Sequence, residues 1–307
     1  MRIAALVHFY IEKNRAGGEM MMHNLLKELA KKHEVTVFIT DGEKGELPEI
    51  DGVKLDYGGY AEMVKYDPDF VFTHFQNTQR ASSYCSMNNK KLATLVHNDM
   101  YGTRRQLLSS PRALKIYNSE WIKRSHKLLG IVIRPPVQPV NVKHGDCVTL
   151  VNVTPEKGSK TFYELAERMP DVKFLAVGGG YWKDKQVKKD LPNVTYIENT
   201  ANMADDVYSK TRVILMASEY ESWGMVAAEA MQSGIPTIAH PTKGLVENLG
   251  NAGVFVDRDD IDNWENEIRM MFSDPYYRVR QKLAKDRSNY YDRKAEMKEF
   301  IMAVESL

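Results

Sequence analysis

Glu221 and Glu229 stand eight residues apart in the run Glu221-Ser222-Trp223-Gly224-Met225-Val226-Ala227-Ala228-Glu229. The apolar run 213–217 before them reads as a strand, 224–231 as a helix, Gly234 as its C-cap and 235–239 as the next strand. Glu221 then falls just before a helix N-terminus. Glu229 lies one to two turns inside it, about 10 Å further along at ~1.5 Å per residue. The first helical amides, with backbone N–H groups from Ser222, Trp223, Gly224 and Met225, point at the space between the acids, where the positive dipole end favours a phosphate. A carboxylate on each side can accept bonds from hydroxyls, one set from a sugar and one from a ribose. Taken alone, a helix with Glu221 near its dipole and Glu229 solvated is the simpler explanation.

Further motifs follow one another along the chain: Gly17-Gly18-Glu19 after the first strand, Val96-His97-Asn98-Asp99 after a later one, and Asn118-Ser119-Glu120-Trp121 opening a helix. Then come Pro135-Pro136-Val137, Pro155-Glu156-Lys157-Gly158 and Gly178-Gly179-Gly180. In this order, and with Ala230 to Ala239 after the second acid, they resemble the family 4-like, retaining glycosyltransferases of the GT-B fold over nearly the whole chain. The resemblance implies two Rossmann-like α/β domains, doubly wound and facing across a cleft, with a C-terminal helix crossing back to the N-terminal domain.

It also implies roles. Glu221 would hold the hydroxyls of the transferred sugar and Glu229 those of the ribose. His97 would touch the transferred sugar or the reaction centre, and Lys157 with Gly158 would meet the donor diphosphate, where an ammonium neutralises the leaving group. Glu221, His97 and Lys157 are thus the catalytic candidates. Asn152 occupies the place where relatives usually carry an arginine, and an amide brings no charge to the diphosphate. Lys243, in the run 243–247 that fits a closing loop, is the cation that could compensate. Gly17, Gly18, Glu19, Asn98 and Asp99 are the acceptor-side candidates. The bare backbone of Gly17 and Gly18 could approach a ligand, and Glu19 could either cap its helix or meet an acceptor hydroxyl. The co-substrate would be a UDP-, GDP- or ADP-sugar, with no further cofactor and no metal.

Composition agrees with this reading. A chain of 307 residues exceeds the size at which one core usually stops growing, and a formal charge of +1 creates no field that would make nucleic acid or an acidic membrane an obligate partner. Cys85 and Cys147 cannot form a disulfide framework, and no Cys/His spacing suits zinc. No apolar run reaches spanning length, so the expectation is a cytoplasmic protein, possible at the inner face of a membrane as a peripheral one.

Short apolar strand candidates at 3–9, 35–39, 70–73, 92–96 and 114–118 recur between helical segments, and a second series runs through 148–153, 172–177, 194–197, 213–217, 237–239 and 254–256. Such spacing demands parallel crossovers. Met22, Leu25, Leu26 and Leu29 mark the first helix. Pro135, Pro136 and Pro139 break regular structure between the halves. The expected domains are 1–140 for the acceptor, 141–285 for the nucleotide sugar and a helix at 286–307 packing back, with the whole tail 275–307 read as helical.

Other motifs fail. Asp257-Arg258-Asp259 and Asp67-Pro68-Asp69 match a metal-binding Asp-x-Asp pattern, but the first suits helix capping and the second a turn. Gly158-Ser159-Lys160-Thr161 lacks the spacing of a phosphate loop, and no Gly-x-Gly-x-x-Gly opens a helix. An epimerase or a binding protein on the same fold is the rival reading. Lys123, Arg124, His126 and Lys127, with Arg104, Arg105 and Arg112, form a basic cluster in the first half. It is either a solvated face or the mark of an anionic, extended acceptor: first a lipid-linked glycan or polysaccharide, second DNA bearing hydroxylated bases, as in phage-type modification.

Overall fold

A computed structural model describes residues 1–13, 15–41, 49–137, 141–179 and 183–307; Pro139 and Gly180 lie outside them. Two compact units emerge, Met1–Pro136 with Arg293–Leu307, and Val137–Asp292.

In the first unit, β1 (Arg2–Val7), α1 (Gly17–Ala30), β2 (Glu34–Ile39), β3 (Lys54–Asp56), α2 (Gly59–Tyr66), β4 (Phe70–His74), α3 (Thr78–Met87), β5 (Lys91–Val96), α4 (Tyr101–Leu108), β6 (Leu114–Tyr117), α5 (Glu120–His126) and β7 (Ile131–Val132) alternate strand with helix. All pairings are parallel, in the order β3-β2-β1-β4-β5-β6-β7. A parallel sheet covered on both faces is apolar along its strands, and β1, β2 and β5 each bury every residue but the first. Met22, Leu25, Leu26 and Leu29 of α1 pack into the core of this unit.

The second unit repeats the plan with β8 (Cys147–Val151), α6 (Ser159–Arg168), β9 (Phe174–Val177), β10 (Val194–Ile197), α7 (Met203–Asp206), β11 (Thr211–Met216), α8 (Met225–Ser233), β12 (Thr237–Ala239), α9 (Lys243–Leu249), β13 (Gly253–Phe255), α10 (Ile261–Met271) and α11 (Asp274–Ser288). Its parallel order is β10-β9-β8-β11-β12-β13. The tail is two helices rather than one: α11 closes at Asn289, and α12 (Arg293–Glu305) belongs to the first unit. There Phe300 and Val304 enter the core, the Phe300 ring lies tilted against Phe72 with centres 6.1 Å apart, and Glu296 binds Arg134.

Each sheet reverses its strand order once, between β1 and β4 and between β8 and β11. At such a switch point the loops leaving the carboxyl ends of the two strands diverge and open a crevice for a ligand. The sequence candidates fall on these loops. Asp257 and Asp259, expected to cap a helix, instead form a turn in which Asp257 accepts from the Asp259 N–H, and Asp260 takes the cap of α10.

Candidate active site

In the second unit β8 runs out at Val151, and the chain turns through Asn152 into the short helix Pro155–Lys157. Strand β11 runs out beside it, and its loop carries Glu221 into α8. Lys157 and Glu221 meet as an ion pair, Nζ to Oε1 at 2.5 Å, and Ser218 Oγ donates to the same oxygen at 2.9 Å. Both side chains are largely buried, 29% and 13% exposed, so the pair is less screened than a surface contact. Oε2 of Glu221 has no hydrogen bond among the described residues, and it is the atom left to accept a hydroxyl.

Gly224, with φ of 88°, caps α8 without any side-chain bond, so the first amides of the helix keep their donors for another group. Trp223 is buried beneath them. One residue absent from the sequence reading fixes this junction: Asn248 of α9, 1% exposed, donates from Nδ2 to the carbonyls of Trp223 and Gly224 at 2.9 and 3.0 Å. The segment from Lys243 is thus a helix, capped by Thr242 Oγ1 on the Leu245 N–H, and not the closing loop expected. Gly244 lets it approach, since a Cβ there would lie 2.3 Å from the Glu221 carbonyl oxygen and 2.5 Å from Ser222 C.

Glu229 does not stand in solvent. The Tyr208 hydroxyl donates to its Oε2, and burial pushes its carboxyl above the usual range against the lowering effect of that bond. Burial and the carboxylate together raise Tyr208 well above an ordinary phenol. A buried carboxylate held by one donor still seeks others, and Oε1 has none among the described residues. Tyr208 comes from the short turn before β11, and no periodicity marks it.

Asn152 sits in the left-handed region, φ 65°, with Oδ1 accepting from Gln186 Nε2 at 2.9 Å while Gln186 Oε1 accepts from Gly179 N–H at 3.2 Å. Its amide oxygen is therefore spent on the fold. A cation unforeseen from the sequence lies on the same edge: Arg258 binds the Glu219 carboxylate and the Pro155 carbonyl, joining the Lys157 turn to the Glu221 loop.

The first unit gathers its own cluster at its switch point. His97 follows β5, His74 ends β4, and their Nε2 and Nδ1 atoms are 3.4 Å apart. Phe75, a bulky residue at φ 49°, sets its ring edge-on to His97 at 4.1 Å. Burial drives His97 down to about 4 and His74 to about 3, so both rings are neutral near pH 7. Gly18 forms the opposite wall: a Cβ there would be 2.9 Å from His97 Cε1. Gly17 begins α1, and Glu19 is buried in its first turn. The Asn98 side-chain oxygen accepts from Met100 N–H and Thr103 Oγ1, so it shapes the loop, and Asp99 beside it is exposed. His126, placed in the basic cluster by sequence, is instead buried with Nε2 on the Asn98 carbonyl. No group of three His, Cys, Asp or Glu side chains suited to a metal occurs among the described residues.

Residues 148–274 match the family model described as glycosyl transferases group 1. The chain is 24% identical over 148 residues to a sulfoquinovosyl transferase of Arabidopsis thaliana and 26% identical over 214 residues to a D-inositol 3-phosphate glycosyltransferase of Corynebacterium efficiens. These alignments take in 46% and 62% of this chain but only 29% and 48% of the relatives, so it spans less than half the length of either. Among solved structures, Anabaena HepE in complex with UDP-glucose superposes over 100% of both chains, with a TM-score of 0.81 at 16% identity. Sucrose-phosphate synthase of Thermosynechococcus elongatus covers 100% of this chain and 99% of its own, with a TM-score of 0.77 at 17% identity. With both sheets, their switch points and the ordered motifs in agreement with these matches, the chain has the two-domain fold of the GT-B glycosyltransferases, and its second unit carries the sequence pattern of glycosyl transferases group 1 over residues 148–274.

Proposed function

We propose that this protein is a metal-independent, retaining glycosyltransferase that takes a sugar from a nucleotide-sugar donor and gives it to a hydroxyl of a lipid-linked glycan or polysaccharide. The observation that carries the reading is the pair of acids on either side of the uncapped α8 N-terminus, Glu221 bound to Lys157 and Glu229 bound to Tyr208. A diphosphate at the α8 amides would draw Lys157 from Glu221 and free the carboxylate for the sugar hydroxyls. Glu229 Oε1 would take the ribose. Retention follows if the departing phosphate oxygen accepts the acceptor's proton on the face it leaves, and the protein then supplies position and charge. Binding of UDP-glucose by HepE supports a nucleotide-sugar donor for this chain. The neutral His97, walled by Gly18 and Phe75, would present a hydrogen bond to the sugar or acceptor without adding charge.

The test is a thermal-shift screen of UDP-, GDP- and ADP-sugars, followed by a product assay on the best binder with and without a chelator, and by analysis of the anomeric configuration. Stabilisation by no nucleotide sugar, or a product of inverted configuration, would overturn the reading.

A further inference from the structure

Residues 100–129 hold seven Lys or Arg against the single acid Glu120, in a chain whose formal charge is only +1. Two of the seven do not face outward as free charges. Lys115 is buried, with Nζ on the Ser110 and Pro111 carbonyls, and Arg104 reaches the His126 carbonyl, which fastens α4 to α5. Arg105, Arg124 and Lys127 are exposed on the outer side of these two helices. Large apolar side chains are exposed among them. Tyr101, Arg105 and Leu108 fall at i, i+4 and i+7, one stripe of α4, while Leu107 turns inward with Ile122. Met100 just before α4 is 63% exposed, Tyr101 83%, Leu108 55%, and Leu129 just after α5 is 93%.

Single exposed apolar residues are ordinary. Four of them interleaved with cations on adjoining helices are a different composition, that of a surface lying in a membrane interface. Duplex DNA would satisfy the cations through phosphates but would give the aliphatic side chains nothing to enter. A bilayer satisfies both.

We propose that the outward face of α4 and α5 seats the protein on an anionic lipid bilayer, with Met100, Tyr101, Leu108 and Leu129 entering the headgroup region and Arg105, Arg124 and Lys127 meeting lipid phosphates. The inference deepens the reading of a lipid-linked acceptor and rests on it. The face starts at Met100, directly after Asp99, so a lipid held there has its headgroup beside the His97 loop.

Vesicle flotation of the full chain tests it, using phosphatidylglycerol in phosphatidylcholine against phosphatidylcholine alone, at low and high salt. The wild type should float with anionic vesicles only, and less at high salt. R105Q/R124Q/K127Q should lower partitioning by about a hundredfold, at roughly fivefold per charge, and Y101S/L108S/L129S by about tenfold or more. Both variants alter exposed side chains and should keep their thermal shift with the nucleotide sugar. Equal flotation on neutral vesicles, wild-type flotation by either variant, or a shift of duplex DNA in place of vesicles overturns the proposal. Loss of flotation with donor binding intact strikes this face alone, whereas patch-dependent flotation with no donor binding strikes the enzymatic reading alone.

Discussion

Glu229 carries opposing demands, since the fold buries it and the proposed ribose contact needs it charged. Its carboxyl is raised by burial, so it opposes folding once ionised. The contribution is most favourable below about 4.5, the ordinary value, and is lost as pH rises through the raised one. Glu229→Gln should therefore raise Tm at pH 7 relative to the wild type, with the gain shrinking as pH approaches 4.5, while donor affinity falls about 10- to 100-fold for a lost bond to a charged group. A Tm difference that is independent of pH would refute the first half, and unchanged donor binding the second. Glu221→Ala should act on turnover more than on affinity, because its carboxylate orients the reacting sugar. His97 and His74 carry the reverse sign. Burial lowers both, so the stability they lend is present above about 6.5 and is lost as pH falls through about 4 and about 3. Acid melts of His97→Gln should show a shallower loss below pH 6.5 than the wild type, and activity should show no inflection near 6.5 from this ring. The two acids were legible in the sequence because they share local spacing, and Lys157, 64 residues before Glu221, only through the motif that carries the resemblance. Tyr208, 21 residues before Glu229, and Asn248, 24 after Gly224, were not, since only tertiary folding brings them there.

At the scale of elements, the Glu221 loop is positioned less by its own residues than by its neighbours. The N-terminus of α9 lies against its backbone at Gly244, and Asn248 holds its last carbonyls. Gly244→Ala places a methyl group inside the contact radius of three backbone atoms, which cannot yield as a flexible side chain would. The loop must move. Turnover should fall by about 100-fold, the scale of an ångström's misplacement, with Tm changed far less, as steady-state kinetics beside a melt will show. Period and caps located α8 and most strands to within two residues, because apolar runs and Gly234 are local signals. The segment at 243 was read as a loop from the resemblance, and with Gly244 at its second position it is packing rather than propensity that sets the helix. The tail hid its break for the opposite reason: between Tyr276 and Leu307 no Gly or Pro separates α11 from α12.

On the scale of the whole molecule, the two sheets obey one construction, and each puts its candidate residues at its switch point. That rule made the general location of both clusters readable from strand order, but not the partners inside them. The first unit also depends on a distant piece of chain. Phe300 lies in its core against Phe72, and Phe300→Ala should cost about 3 to 5 kcal/mol for the cavity left. In a proteolysis-monitored melt the first unit should open earlier than in the wild type and the second unit at its usual temperature. Simultaneous loss of both units in the variant would count against two separate cores. The chain leaves this unit after Pro136 and re-enters it at Arg293. During synthesis the ribosome therefore finishes the second sheet while the first still lacks its last helix. The first unit is begun before the second and completed after it, and the nascent chain must keep the apolar seat of Phe300 out of wrong contacts until residues 293–307 emerge.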